Sequence, residues 1–182
     1  MQSLIETITR ALKNNDRTVE PPLDSLFDPL KDFALQWLDR NLLWIMNYYP
    51  PYLGAGIQID DYTPDIRYIR VKMNLNWWNQ NYVGTQFGGS LYSMCDPFYM
   101  LMVMKNLGTD YEVWDKSAEI NFLKPGRSTV YAEFELNEND LEQIRQEIEK
   151  NGVSEPVFTV TVKTENGQHM ARINKELHVT TN

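Results

Sequence analysis

Hydrophobic positions along this chain follow three rhythms, and each predicts a different kind of element. The first is strict alternation. Ile57 and Ile59 are separated by Gln58 and followed by Asp60. Beyond a turn at Thr63-Pro64-Asp65, the residues Ile69, Val71, Met73 and Leu75 are separated by Arg70, Lys72 and Asn74. A period of two belongs to strands with one buried face, so this stretch predicts an antiparallel hairpin. The alternation returns in Ala118, Ile120 and Phe122, in Val130, Ala132, Phe134 and Leu136, in Phe158, Val160 and Val162, and in Ala171, Ile173, Leu177 and Val179. Lys124-Pro125-Gly126-Arg127 and Glu165-Asn166-Gly167 supply turns between them.

The second rhythm is helical. Leu4, Ile5, Ile8, Ala11 and Leu12 share one face of a short helix over Ser3–Asn14, with Ser3 and Glu6 at capping-box spacing. A polar linker, Asn14–Asp24, carries Pro21-Pro22. Leu26, Leu30, Phe33, Trp37, Leu38 and Ile45 then predict a helix from Ser25 to about Tyr48, ended by Pro50-Pro51. Its aromatic load suits core or subunit packing, or a lid over an acyl chain. Late in the chain, Leu141, Ile144 and Ile148 predict a short exposed helix over Asp140–Lys150, closed by Asn151-Gly152. The chain is thus expected to hold a helical extension, 1–50, and one domain, 51–182.

The third rhythm has no polar face. From Gly88-Gly89 to Gly108, the residues Leu91, Met94, Cys95, Phe98, Leu101, Met102 and Val103 go nearly all the way round one predicted helix of about five turns. A bilayer is the wrong home for it. Asp96 sits in its middle, where a carboxylate costs roughly 2.5–3.5 kcal/mol in a membrane. No second candidate span exists, and no charged segment followed by an apolar run opens the chain. A helix apolar all round needs a cover, and six half-buried strands need something to cover. The expected class is therefore α+β with the hotdog fold: a curved antiparallel sheet of about six strands wrapped around a long central helix. An open sheet edge predicts pairing through a continuous sheet, as a homodimer or dimer of dimers.

Composition narrows the partners. A net charge of −8 and a pI near 4.8, without a basic cluster, argue against nucleic acid. Cys95 is the single cysteine, so no intrachain disulfide exists, which fits a reducing cytoplasm. His169 and His178 stand apart from other ligand types and are expected at the surface, so no metal site is expected.

Asp96 is the residue to explain. Either it pairs with a polar group or serves backbone groups freed by Pro97, or it is a general base or nucleophile facing a cleft. Pro97 has no N–H and leaves the Ser93 carbonyl without its helical donor. Gly88-Gly89 adds a reason for the second reading. Glycines let a ligand approach the backbone, and first-turn N–H groups at the positive end of a helix can polarise a carbonyl.

Asn81, then Phe87-Gly88-Gly89 six residues on, then Asp96 nine residues after Phe87, resembles the active-site segment of hotdog acyl-CoA thioesterases of the phenylacetate type. Their pattern is Asn, His-Gly-Gly and Asp. The resemblance covers roughly Pro51–Val179. The stretches Pro50–Gly56, Gly84–Ser90 and Val113–Lys116 look like a bacterial branch of that superfamily with an N-terminal helical extension.

The resemblance implies roles. Asp96 would activate water or attack the thioester, the Gly88 N–H would polarise the carbonyl, and Asn81 would orient water or substrate. The cleft would lie between two subunits. Phe87 stands where the family has histidine and puts an apolar ring there. Thr85, Phe87 and Gly89 would line the substrate site. Coenzyme A would enter as part of the substrate, with no further cofactor. Lys124, Arg127 and Lys163 are candidates for its phosphates or ordinary surface charges. Trp77, Trp78 and Trp114 are core residues or the lining of an acyl pocket. Cys95 is expected to be an inert buried thiol. Two further readings stay open: a non-catalytic binder of acyl or aromatic ligands, and an interaction protein docking through the Ser25–Tyr48 helix. A dehydratase would need an acid–histidine pair that this segment lacks.

Overall fold

Apolar faces spaced two apart are buried only when their strands share a sheet, and here they do. The computed structural model describes residues 40–182, together with Ala34 and Trp37. The helix expected over Ser3–Asn14, the linker Asn14–Asp24 and most of the helix expected from Ser25 lie outside the described residues. Ala34, Trp37 and Arg40 are helical. The chain divides between Leu42 and Leu43 into two units, and the sheet and its helices belong to the second.

Helix α1 (Leu42–Met46) is followed by α2 (Pro50–Ala55). Pro50-Pro51 therefore opens a new helix rather than only closing the old one. Both prolines occupy first-turn positions, where a missing N–H leaves nothing unpaired. Gly56 closes α2 with φ 73°.

The strands are β1 (Ile57–Tyr62), β2 (Tyr68–Met73), β3 (Tyr111–Phe122), β4 (Val130–Glu135), β5 (Val153–Ser154), β6 (Val157–Thr164) and β7 (His169–Thr181). They form one curved antiparallel sheet in the order β1-β2-β4-β6-β7-β3, with β5 paired to β7. Ile69, Val71 and Met73 of β2 and Val130, Ala132 and Phe134 of β4 are fully buried on one face. Register sets Val71 against Ala132 and Ile69 against Phe134, so the alternation seen in the sequence meets across the strands.

That face wraps the apolar helical run. It consists of α3 (Gly88–Ser93) and α4 (Phe98–Leu107). Met94, Cys95, Phe98, Met102 and Val103 have no exposed surface. The Phe98 ring lies 5.0 Å from Phe134 and the Tyr99 ring 5.3 Å from it. The fold is the expected α+β hotdog, with one refinement: the long helical run breaks over Met94–Pro97. Pro97 removes the donor for Ser93, whose carbonyl takes the Asp96 N–H instead, at 3.4 Å.

Helix α5 (Glu138–Asn151) buries Leu141, Ile144 and Ile148, as its spacing predicts. A reciprocal capping box between Asn137 and Asp140 starts it, and Gly152 at φ 77° ends it. Strand β3 differs from expectation. It begins at Tyr111, well before Ala118, and Ala118 and Phe122 are exposed. Val113 is buried and Asp115 half-buried, but from Lys116 to Phe122 only Ile120 is less than exposed, so the alternation predicted there carries no buried face. No helix among the described residues is long and apolar enough to cross a membrane.

Candidate functional site

The loop between β2 and α3 is polar, and its side chains spend their hydrogen bonds on holding its shape. Asn79 donates to the carbonyls of Ala55, at 2.8 Å, and Asn74, at 2.7 Å, and accepts from the Asn76 N–H at 2.7 Å. The Asn81 carboxamide accepts from the Val83 and Thr85 N–H groups and donates to Thr85 Oγ1 at 2.8 Å. Thr85 is buried in the same turn. Gln86 donates to the carbonyls of Met73 and Ser128, both at 3.1 Å, while its N–H reaches the Gly126 carbonyl at 2.8 Å. Asn81 and Thr85 thus bond to each other, and the Lys124–Arg127 turn is fastened to the residue just before Phe87.

This staple delivers Phe87-Gly88-Gly89 to the start of α3. A Cβ on Gly88 would stand 3.1 Å from the Phe122 ring, and one on Gly89 only 2.6 Å from the Phe87 ring. Both glycines are needed for aromatic rings to lie against the helix start. Phe87 is 55% exposed and, with Ala55, Trp78, Asn79, Gln80 and Ser90, lines an open cleft of about 280 Å³. Of the two places expected for Trp77 and Trp78, core or pocket lining, the core is excluded: both are exposed, and Trp78 lines the cleft. They sit edge to face at 5.7 Å on the loop, where the sheet does not cover them.

Asp96 lies in the break between α3 and α4. Its side chain is 44% exposed, and its Oδ1 accepts a hydrogen bond from Lys175 Nζ at 2.9 Å. Lys175 is fully buried and also reaches Asp115 Oδ2 at 3.1 Å. The Tyr92 hydroxyl lies 3.5 Å from the same ammonium. Burial alone would push the Lys175 ammonium down. The hydrogen bond and charge of Asp96, then the charge and hydrogen bond of Asp115, outweigh it and hold the ammonium above the ordinary lysine range. Burial pushes the Asp115 carboxyl up, against the pull of Lys175, and Asp115 Oδ1 is buried without a hydrogen-bond partner. Burial, then a hydrogen bond to Asp96, push the Tyr92 phenol up. Burial also drives the neighbouring Cys95 thiol far up, so it is inert.

Sequence reading missed Lys175, Asp115 and Tyr92. One signal was available for Lys175. Ile173, Leu177 and Val179 face the core, and position 175 falls in that same inward register, where a lysine breaks an apolar series.

Other candidates are placed elsewhere. Trp114 lies on the outer face, since Val113 and Asp115 on either side of it point inward, and it stacks on His178 at 4.2 Å. Lys124 and Arg127 are exposed, and Lys163 pairs with Glu133 at 2.5 Å. His169 is exposed, and His178 bonds Glu155 at 3.0 Å, both at the surface as expected. Among the described residues, no three His, Cys, Asp or Glu side chains converge as a metal site.

The family model for a domain of unknown function, DUF4442, matches residues 40–179. The chain belongs to the DUF4442 family. No curated protein matches it. Solved structures do. A Pseudomonas aeruginosa protein of unknown function, named "Probable Thioesterase", matches with TM-score 0.68 and 17% identity over 81% of this chain and 96% of its own. A Chlorobaculum tepidum protein of unknown function gives TM-score 0.61 and 14% identity over 76% and 91%. A Haemophilus influenzae thioesterase gives 0.55 and 17% over 75% and 86%. This DUF4442 chain therefore has the fold of thioesterase-like hotdog proteins.

Proposed function

We propose that this DUF4442 chain hydrolyses an acyl thioester, of the acyl-CoA or acyl-carrier class, with Asp96 as the acting carboxylate. One observation carries the reading: an ion-paired carboxylate, half open to solvent, at the break of an otherwise sealed apolar helix, downstream of a Gly-Gly helix start. In the proposed reaction Asp96 takes a proton from water as its oxygen attacks the carbonyl carbon. The C–S bond then breaks, and the thiolate leaves and is protonated. The Gly88 N–H polarises the carbonyl oxygen.

Gly88 starts α3, and Asp96 lies in the break after it, eight residues on. In this reading the carbonyl sits in a cleft shared by two copies, with Gly88 of one and Asp96 of the other. Lys124 and Arg127 flank Gly126, whose carbonyl takes the Gln86 N–H near the helix start, and in this reading they would meet phosphates of coenzyme A. Asn81 acts through the loop it holds. The resemblance to phenylacetate-type enzymes and the names of the structural neighbours point the same way.

A second reading is favoured by Phe87. It puts an exposed ring, beside Trp78, into the cleft where the resembling enzymes carry histidine. That arrangement suits holding an acyl or aromatic group without hydrolysis.

Hydrolysis of an acyl-CoA panel by wild type and Asp96→Asn separates the two. Turnover by wild type with a loss on the order of 10²–10⁴-fold in Asp96→Asn supports the first. Equal rates remove Asp96 from the mechanism. No turnover, with a small-molecule adduct in native mass spectrometry of the purified protein, moves the assignment to the second.

A further inference from the structure

Lys175 is the one charged residue buried among the described residues. It has no exposed surface, although it stands on the sheet face that meets the apolar helices. A buried ammonium without partners carries a desolvation cost of several kcal/mol. A chain that needed only stability at this position would place another Ile or Leu there, as at Ile173 and Leu177. A buried ion pair is at best neutral against such a residue. The ammonium is arranged instead to reach one particular atom, Oδ1 of Asp96, at 2.9 Å, with Asp115 as a second anchor at 3.1 Å.

The ionisable groups that face it come from several elements. Tyr92 faces it from α3, Cys95 and Asp96 from the break, and Asp115 from β3. Burial, then the charge of Asp96, push the Tyr52 phenol of α2 up, and its hydroxyl is buried without a hydrogen-bond partner. Lys175 is the one cation in this group. It ties a helix break, which Pro97 leaves without regular backbone hydrogen bonding, to the middle of a strand in the sheet.

We propose that Lys175 is the positioning residue of the site: its ammonium fixes one oxygen of Asp96 and so aims that carboxylate while the rest of it stays open to solvent. Asp115 holds Lys175 in turn. This proposal rests on the reading of Asp96 as the acting carboxylate, and it assigns to Lys175 no contact with substrate.

The test uses the full chain with Lys175→Met and Lys175→Arg, read as kcat and KM of acyl-CoA hydrolysis. Lys175→Met has nearly the same length without charge, and its kcat should fall by about a hundredfold with KM little changed, as misplacement of a reacting group does. Lys175→Arg should recover most of that loss. A folded Lys175→Met with the wild-type kcat overturns the proposal. A second measurement is independent of turnover: the titration of the Lys175 side-chain nitrogen by NMR in wild type and Asp96→Asn. Wild type should stay an ammonium beyond the ordinary lysine range, and Asp96→Asn should deprotonate at lower pH. An unchanged titration overturns the pairing, whether or not Lys175→Met folds. If wild type hydrolyses no acyl-CoA, the proposed reaction fails, and the pairing still stands or falls on this titration.

Discussion

Gly56 and Gly89 would meet the same alanine under opposite conditions. At Gly56 the backbone has φ 73°, and an added Cβ would come 2.5 Å from Asn79 Nδ2. That nitrogen holds the Ala55 and Asn74 carbonyls, so it has nowhere to go without breaking the loop. Left-handed backbone costs an alanine about 1–2 kcal/mol, and a lost buried hydrogen bond adds about 1 kcal/mol or more. Gly56→Ala should lose about 2 kcal/mol, a fall in Tm of roughly 4–8 °C. At Gly89 the close atom is the edge of the Phe87 ring, which is exposed and free to swing. Gly89→Ala should therefore melt within about 0.5 kcal/mol of wild type, as surface changes do. Its effect should be on the cleft, with Phe87 displaced in a crystal structure of the variant. Equal losses of Tm in the two variants would refute the distinction. The same scale shows why the site was only partly legible. Asp96 announced itself, because a charge in an apolar run is a local anomaly. Its partner is 79 positions away, and although the alternation around Lys175 sets it inward, only the folded sheet brings it against Asp96.

At the scale of elements, the break over Met94–Pro97 decides where Asp96 points. Alternation and helical spacing revealed the sheet, the wrapped helix and α5, since those patterns are the burial pattern itself. A break leaves no trace in a run whose residues are apolar on every face, so Pro97 alone hinted at it. The early start of β3 was hidden for a related reason: Asp115 occupies an inward position and masks the alternation from Tyr111 onward. Pro97→Ala tests the break. It restores a donor for the Ser93 carbonyl, which now takes only the long Asp96 hydrogen bond of 3.4 Å. The expected result is helical carbon shifts running continuously from Gly88 to Leu107. Asp96 should then rotate with the helix away from Lys175, with a loss of hydrolysis on the order of a hundredfold from misplacement alone. Unchanged shifts at Met94–Asp96 would mean that the break is held by the Asp96–Lys175 pair and the surrounding core instead.

For the whole molecule, edge strand β3 and the proposed chemistry make the same demand. β3 ends the strand order, runs from Tyr111 to Phe122, and carries exposed Ala118 and Phe122. A long edge of this kind pairs with another strand unless something blunts it. The proposed reaction needs Gly88 and Asp96 at one carbonyl, which a cleft shared by two copies would supply. A two-fold pairing of β3 with β3 would extend the sheet and bring two copies of the Phe122 end, which lies against Gly88, into the same region. The protein should therefore sediment at twice the chain mass of 21.4 kDa. Replacing Ala118 and Ile120 together by lysine sets like charges against each other across the two-fold axis, and should give a folded monomer. Dimer and hydrolysis should disappear together in that variant, with Tm changed little, because neither side chain is fully buried in the single chain. A monomeric variant that hydrolyses acyl-CoA at the wild-type rate would place the whole site within one chain. The Gly88 N–H would then lose its proposed role, and Asp96 with Lys175 would have to account for the reaction alone.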